Sequence, residues 1–281
     1  MSANGPVTHG ISPPPSPSPS TSTRMTLWIW ASGLYPRRVA YYLSAKRLPV
    51  SVLETHNIHL IPIIADPVKH ILISKPGYEE RPSGCSFPCL RIERPGHSPH
   101  FIYESSAILE YFEDLFPSSQ GYEELVGKTA EQRARTRDIM SLLTEAIVWT
   151  NVLTRHIDPS SMSWSGMKSL CEQAPSAAMD ANRVLHDKML SKLEKWVKED
   201  VVDRKCQSLS GEGIHVTLAD IGVMAMVQYV EDKVGRDWFD GRHEVLREWV
   251  ERAKKADWFL GKEEIARTES EEVGLRRLFV Q

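Results

Sequence analysis

Apolar and polar positions follow one rhythm up to about residue 117 and another after it. Residues 26–31 (TLWIWA) are β-branched and aromatic with no polar face, which predicts a buried strand. Ser32-Gly33-Leu34 turns the chain, and Tyr35-Pro36-Arg37-Arg38 opens a helix with proline in its first turn. That helix should run to about Lys46, burying Val39, Tyr42 and Leu43, with Arg37 and Arg38 as ion-paired surface residues. Residues 49–54 (PVSVLE) predict a second strand. From 57 to 86 the pattern is irregular, and Pro62, Pro67, Pro76 and Pro82 limit any helix to a short piece. A third strand is expected over 87–92, with Pro88 marking an edge or a special turn, and a short fourth over 100–103.

The rhythm then becomes helical. Ala107, Ile108, Tyr111, Phe112, Leu115 and Phe116 form one apolar face over 104–116, and Glu104 or Ser105 stands where a cap would be. Residues 117–121 (PSSQG) end the segment as the start of a linker. Long helices follow over 129–156 and 176–201, separated by a Ser-, Met- and Trp-containing loop or broken helix. Thr217 and Asp220 fit a capped first turn, and 221–230 is apolar nearly all round, the mark of a helix buried on every side. A last amphipathic helix is expected over 241–256. Residues 12–23 (SPPPSPSPSTST) have nothing to bury. The expected order is βαβ, then ββα, then all helix, an α+β chain. Its domains would be 25–117 and 128–260, joined by a linker over 118–127 and flanked by a disordered tail over 1–24 and a charged tail over 261–281.

Composition narrows the function. At 281 residues, 41% hydrophobic and 25% charged, the chain can bury two ordinary cores. Lys and Arg total 34 against 37 Asp and Glu, a net charge of -3, which argues against a nucleic-acid binder. No apolar run approaches the ~18 residues of a membrane span, so no membrane partner is expected. Without a signal-peptide core or an Arg-rich leader, the expected address is cytoplasmic. Four cysteines are too few for a disulfide scaffold. Cys85 and Cys89 have no second pair at finger spacing, and the ten histidines form no HExxH, so no metal is expected. Phosphate-loop, dinucleotide and serine-hydrolase signatures are missing from the sequence.

Three local patterns, in this order, carry a resemblance: Phe87-Pro88-Cys89-Leu90, Glu104-Ser105-Ser106-Ala107-Ile108 followed by Tyr111, and Thr217-Leu218-Ala219-Asp220. The chain resembles the cytosolic glutathione transferases over about 25–258, with a fungal type suggested and a secondary-metabolite pathway as one setting. The resemblance implies a thioredoxin-like first domain, a helical second domain, a cis peptide before Pro88, glutathione as co-substrate or recycled cofactor, and a homodimer. It implies that Phe87 pairs through its main chain with the cysteinyl amide of glutathione. Glu104 would take the γ-glutamyl ammonium, and Ser105 with the helix start its carboxylate, where the helix dipole favours negative charge. The alternative is that both residues only cap their helix. Lys75, before Pro76-Gly77, sits where the family often places a group for the glycyl carboxylate; otherwise it is a solvated loop lysine.

The chemistry implied is acidification of the glutathione thiol. The donor in this family follows the first strand, and here that turn holds Ser32 and Tyr35 but no cysteine. Ser32, Tyr35, or backbone N–H groups with the helix dipole alone remain open as the stabilising group. A small hydrophobic acceptor would bind between the domains, with Trp149, Asn151, His156 and Trp164 as candidate contacts. Conjugation to an electrophile, reversible addition that isomerises a conjugated double bond, and glutathione binding without catalysis all fit the sequence.

Overall fold

The computed structural model describes residues 22–66, 68–157 and 173–280. Strand β1 (Arg24–Ile29) is buried on both faces and leads through a turn into helix α1 (Leu34–Lys46). Residues 49–54, expected as a strand, instead form the short helix α2 (Ser51–Thr55). The β-branched valines gave way to tertiary context. Val52 and Leu53 bury against the core, and the Val52 and Leu53 amides bond back to Pro49 and Val50.

The irregular stretch contains two strands, β2 (Ile58–Asp66) and β3 (Ile71–Ser74). Pro62 is tolerated because it pairs opposite Ile29, the last residue of the β1 ladder. Beyond it, Ile63–Asp66 continue alone as an antiparallel hairpin with β3. Strands β4 (Cys89–Glu93) and β5 (His100–Ile102) complete a five-stranded sheet of order β3-β2-β1-β4-β5. Only β1 and β2 run parallel. Removing β3 leaves the βαβ-ββα order expected from the sequence, closed by helix α3 (Ser105–Leu115).

Helix α4 (Ala130–Ile157) opens the helical half. The helix expected over 176–201 is a continuous run of α5 (Pro175–Arg183), a π-helical stretch Val184–Leu190, α6 (Ser191–Val197) and a second π-helical stretch Lys198–Val202. Helix α7 (Leu218–Tyr229) is buried along nearly its whole length. Its capping box closes as expected: the Asp220 carboxylate accepts from the Thr217 amide at 2.6 Å, and also from the Leu209 amide and the Ser208 and Thr217 hydroxyls. Helix α8 (Glu244–Ala253) follows.

The charged segment after residue 260 is not a free tail. Helix α9 (Lys262–Ser270) and a 3-10 turn (Gly274–Leu278) return to the first half of the chain. Leu275, Leu278 and Phe279 bury there, and Val280 exchanges main-chain bonds with Leu48 and Val50.

Helix α1 packs against both α3 and α7, so one apolar core runs through both halves. The third helix spends its apolar residues inside the chain: Phe112 and Phe116 are buried, and Tyr111 and Leu115 pack on the same core. Among the described residues no helix is long and apolar enough to cross a membrane.

Candidate functional site

Register places the expected site residues at one end of the sheet. Ile29 at the end of β1 faces Pro62, whose carbonyl accepts from the Lys75 amide at 2.9 Å. Cys89 at the start of β4 faces Trp28, so Phe87 and Pro88 reach the same level. Leu90 faces Ile102, and the chain then passes through Glu104 into α3. The Ser32 turn, Lys75, Phe87 and the N-terminus of α3 therefore gather at this end, although up to 73 positions separate them in sequence, Ser32 to Ser105.

The Ser32 turn is shaped by Trp30 and Gly33. The Gly33 amide donates to the Trp30 carbonyl at 2.8 Å, and a Cβ on Gly33 would lie 2.7 Å from the indole. Only glycine lets the ring lie this close to the start of α1. The Ser32 carbonyl accepts from Arg37 at 3.2 Å, and the Ser32 amide donates to the Glu269 carboxylate at 2.8 Å. The Ser32 hydroxyl makes no hydrogen bond among the described residues. Tyr35 is 41% exposed, with the Arg38 guanidinium 5.5 Å from its ring centroid.

The peptide bond between Phe87 and Pro88 is cis, as the resemblance implied. Phe87 makes no main-chain hydrogen bond among the described residues, and its ring lies under Arg81. Glu104 occupies the N-cap position of α3 with extended backbone, yet no side-chain hydrogen bond caps this helix. Ser105, in its first turn, is 3% exposed. The first amides of α3 are thus left without side-chain partners among the described residues.

Arg37 and Arg38 are 1% and 4% exposed, not the surface residues expected. Helical spacing held the signal: Arg38 lies four residues before Tyr42, an expected core position, so the two share a face. Arg37 bonds Asp232 and Gln228, each at 3.0 Å, and so joins the Ser32 turn to the helical half. Arg38 has no carboxylate partner among the described residues. Its Nε and one terminal nitrogen are buried without hydrogen bonds, and burial lowers its pKa to about 10. An unpaired buried cation is costly unless an anion joins it.

Cys85 and Cys89 flank the Phe87-Pro88 bond, both buried and free. Burial raises both thiols, Cys89 to about 12, so neither is a nucleophile at neutral pH. Among the described residues no group of three or more His, Cys, Asp or Glu is placed to hold a metal ion.

Three of the expected acceptor contacts, Trp149, Asn151 and His156, lie on α4. Trp149 is partly buried against the core, and Asn151 is exposed. His156 accepts from the Ala174 amide at 3.1 Å through Nδ1, which closes the chain across the intervening segment. Trp164 lies outside the described residues. An apolar cavity of about 290 Å³ is lined by Thr150, Leu153, Ile157, Leu185, His186 and Trp238, all in the helical half. Trp149, Asn151 and His156 do not line it, and its described lining lies within the helical half.

No family model matches the sequence, and no curated protein matches it. The fold does match solved structures. A maleylacetoacetate isomerase from Anaeromyxobacter dehalogenans, with glutathione bound in its active site, aligns at TM-score 0.52 and 18% identity, covering 85% of this chain and 94% of that one. A delta-class glutathione transferase from Nilaparvata lugens aligns at 0.52 and 17%, covering 91% and 98%. A glutathione transferase from Populus trichocarpa aligns at 0.54 and 14%, covering 88% and 99%. The chain has the glutathione transferase fold, a thioredoxin-like half followed by a helical half.

Proposed function

We propose that the protein binds glutathione at this end of the sheet and uses its thiolate as a nucleophile toward a small hydrophobic electrophile. The observation that carries the reading is the start of α3: a helix N-terminus whose Glu104 and Ser105 do not cap it, beside an unpaired Phe87 main chain and the Ser32 turn. Glutathione supplies what each part lacks. Its γ-glutamyl carboxylate suits the amides of α3 and the Ser105 hydroxyl, and its ammonium suits Glu104. Its cysteinyl amide suits the Phe87 main chain by strand addition. Lys75 would hold the glycyl carboxylate.

A free thiol titrates near pKa 8.5, so lowering it by about two units requires roughly 2.7 kcal/mol of selective stabilisation. A Ser32 hydroxyl donor together with the positive end of α1 supplies an effect of that size. The thiolate then attacks the acceptor. The similarity to a glutathione-bound maleylacetoacetate isomerase favours a second reading, in which addition to a conjugated double bond is followed by rotation and elimination. That reading fits the biosynthetic setting of fungal-type members. Trp149 and Trp164 remain the proposed acceptor contacts, the address is cytoplasmic, and the assembly is a homodimer, which sedimentation at micromolar concentration checks.

The test is product mass after incubation with glutathione and a panel of electrophiles and conjugated dienes. An adduct establishes conjugation, and an unchanged mass with altered geometry establishes isomerisation. Binding of glutathione with no turnover of any acceptor would contradict both and leave a non-catalytic binding protein.

A further inference from the structure

Two parts of the proposed glutathione site, the Ser32 turn and Lys75, are already engaged by three consecutive residues from the far end of the chain. The Ser32 amide donates to the Glu269 carboxylate at 2.8 Å. The Lys75 ammonium donates to the Ser270 carbonyl at 3.1 Å and the Glu271 carbonyl at 2.8 Å. These carbonyls end α9, where the helix leaves acceptors unpaired and its dipole favours a cation. The C-terminus of α9 therefore presents what the tripeptide presents: an anion at the Ser32 turn and oxygen acceptors at Lys75.

The helix making these contacts is lightly held between firm anchors. Of its nine residues only Ile265 and Thr268 are buried. Before it, Tyr41 and Gln228 both donate to the Leu260 carbonyl, at 3.0 and 2.6 Å. After it, Leu275, Leu278 and Phe279 are buried and Val280 is bonded to Leu48 and Val50. Lifting residues 262–271 leaves the Leu260 and Val280 bonds in place, at the cost of exposing Ile265 and Thr268 and breaking the Glu271–Arg277 contact at 2.7 Å. A thiolate at the Ser32 turn would face the Glu269 carboxylate at close range, and like charges there disfavour the ionised thiol. Productive binding requires the carboxylate to leave.

We propose that the C-terminus of α9 is the resting occupant of the glutathione site, a latch of Glu269 on Ser32 and of the Ser270 and Glu271 carbonyls on Lys75 that glutathione must displace. This rests on the function proposed above. A latched site lowers apparent affinity by the fraction of molecules that are open, so removing the latch should tighten binding.

The experiment measures glutathione affinity by calorimetry and amide hydrogen exchange over 262–271, in the full chain and in Glu269→Ala. The expected result is at least about ten-fold tighter binding by Glu269→Ala (1.4 kcal/mol) and faster exchange in α9 of the unsubstituted protein when glutathione is added. Glu269→Gln, which keeps the side chain's shape and loses its charge, should also tighten binding, and it replaces the alanine variant if that does not fold. Binding by the variants alone supports the latch most strongly. Equal affinities, or α9 exchange unmoved by a ligand that binds, overturn the latch and leave the glutathione reading standing. If neither the unsubstituted protein nor a folded variant binds glutathione, the reading of the site fails and the latch falls with it.

Discussion

Ser32 and Tyr35 were open alternatives in the sequence, and the proposed function puts the donor at Ser32. Ser32 ends the turn after β1 with its hydroxyl unengaged among the described residues, and Arg37 fixes its carbonyl. Tyr35 is 41% exposed, with the Arg38 guanidinium over its ring. Ser32→Ala should therefore raise the pKa of the bound thiol by about one unit or more, while Tyr35→Phe leaves it unmoved. Thiolate absorbance titrated in both variants decides this, and the reverse pattern would move the donor to Tyr35. If neither variant moves the pKa, backbone amides and the helix dipole act alone. Glu104→Ala or Ser105→Ala should weaken glutathione binding by about 1.5–3 kcal/mol, the range for a charge-assisted hydrogen bond. The double variant should lose less than the sum, because both residues hold one end of one ligand. Calorimetry showing unchanged affinity in both single variants would make them ordinary helix-start residues.

Between elements, buried polar groups tie the site's framework together. Glu113 on α3 accepts from Lys46 at 2.6 Å and Tyr42 at 2.8 Å, both on α1, and from the Leu125 amide of the linker at 3.1 Å. The Lys46 side chain is fully buried, so its charge has no solvent to fall back on. Glu113→Gln should destabilise the protein by about 3 kcal/mol, read from the urea midpoint, since removing one partner of a buried pair strands the other. A change below about 1 kcal/mol would mean that Lys46 reaches water in solution.

A second cluster lies in the helical half. The π-helical stretch carries His186, whose Nδ1 is 3.3 Å from Nε2 of His243, while His243 Nδ1 is 3.2 Å from Glu194. Burial, then Arg242 and His243, lowers His186 from 6.5 to about 4, with Asp240 and Asp187 opposing. The folded state thus favours neutral His186. This contribution is present above about pH 6.5 and is lost as pH falls through 4. Urea midpoints should drop between neutral and acidic pH, and His186→Leu should flatten that slope; an unchanged slope would assign the acid sensitivity elsewhere.

For the molecule as a whole, legibility followed the range of the interactions. The first strand and helix, the start of α3, the capped α7 and the Phe87-Pro88 turn were readable because each is specified by neighbouring residues. What was missed depends on distant partners. Strand β2 escaped because Pro62 reads locally as a breaker, and only its place opposite the last residue of β1 makes it harmless. Residues 261–281 read as a solvated tail because their charges dominate the composition, while Leu275, Leu278 and Phe279 find their core in the first half of the chain. Glu269 had no local signal, since its contact spans 237 positions. The expected acceptor contacts were placed from helix order alone, and the apolar cavity of the helical half is lined by other residues.

The central claim is that the end of the sheet near Ser32, Phe87 and Ser105 is a glutathione site. The most direct measurement is a calorimetric titration of the full chain with glutathione, run beside Ser105→Ala. The account predicts saturable binding of one tripeptide per chain, weakened in the variant by about 1.5–3 kcal/mol with the fold unchanged by circular dichroism. No binding by either the unsubstituted protein or a folded Glu269→Ala variant, or equal binding by Ser105→Ala, would contradict it.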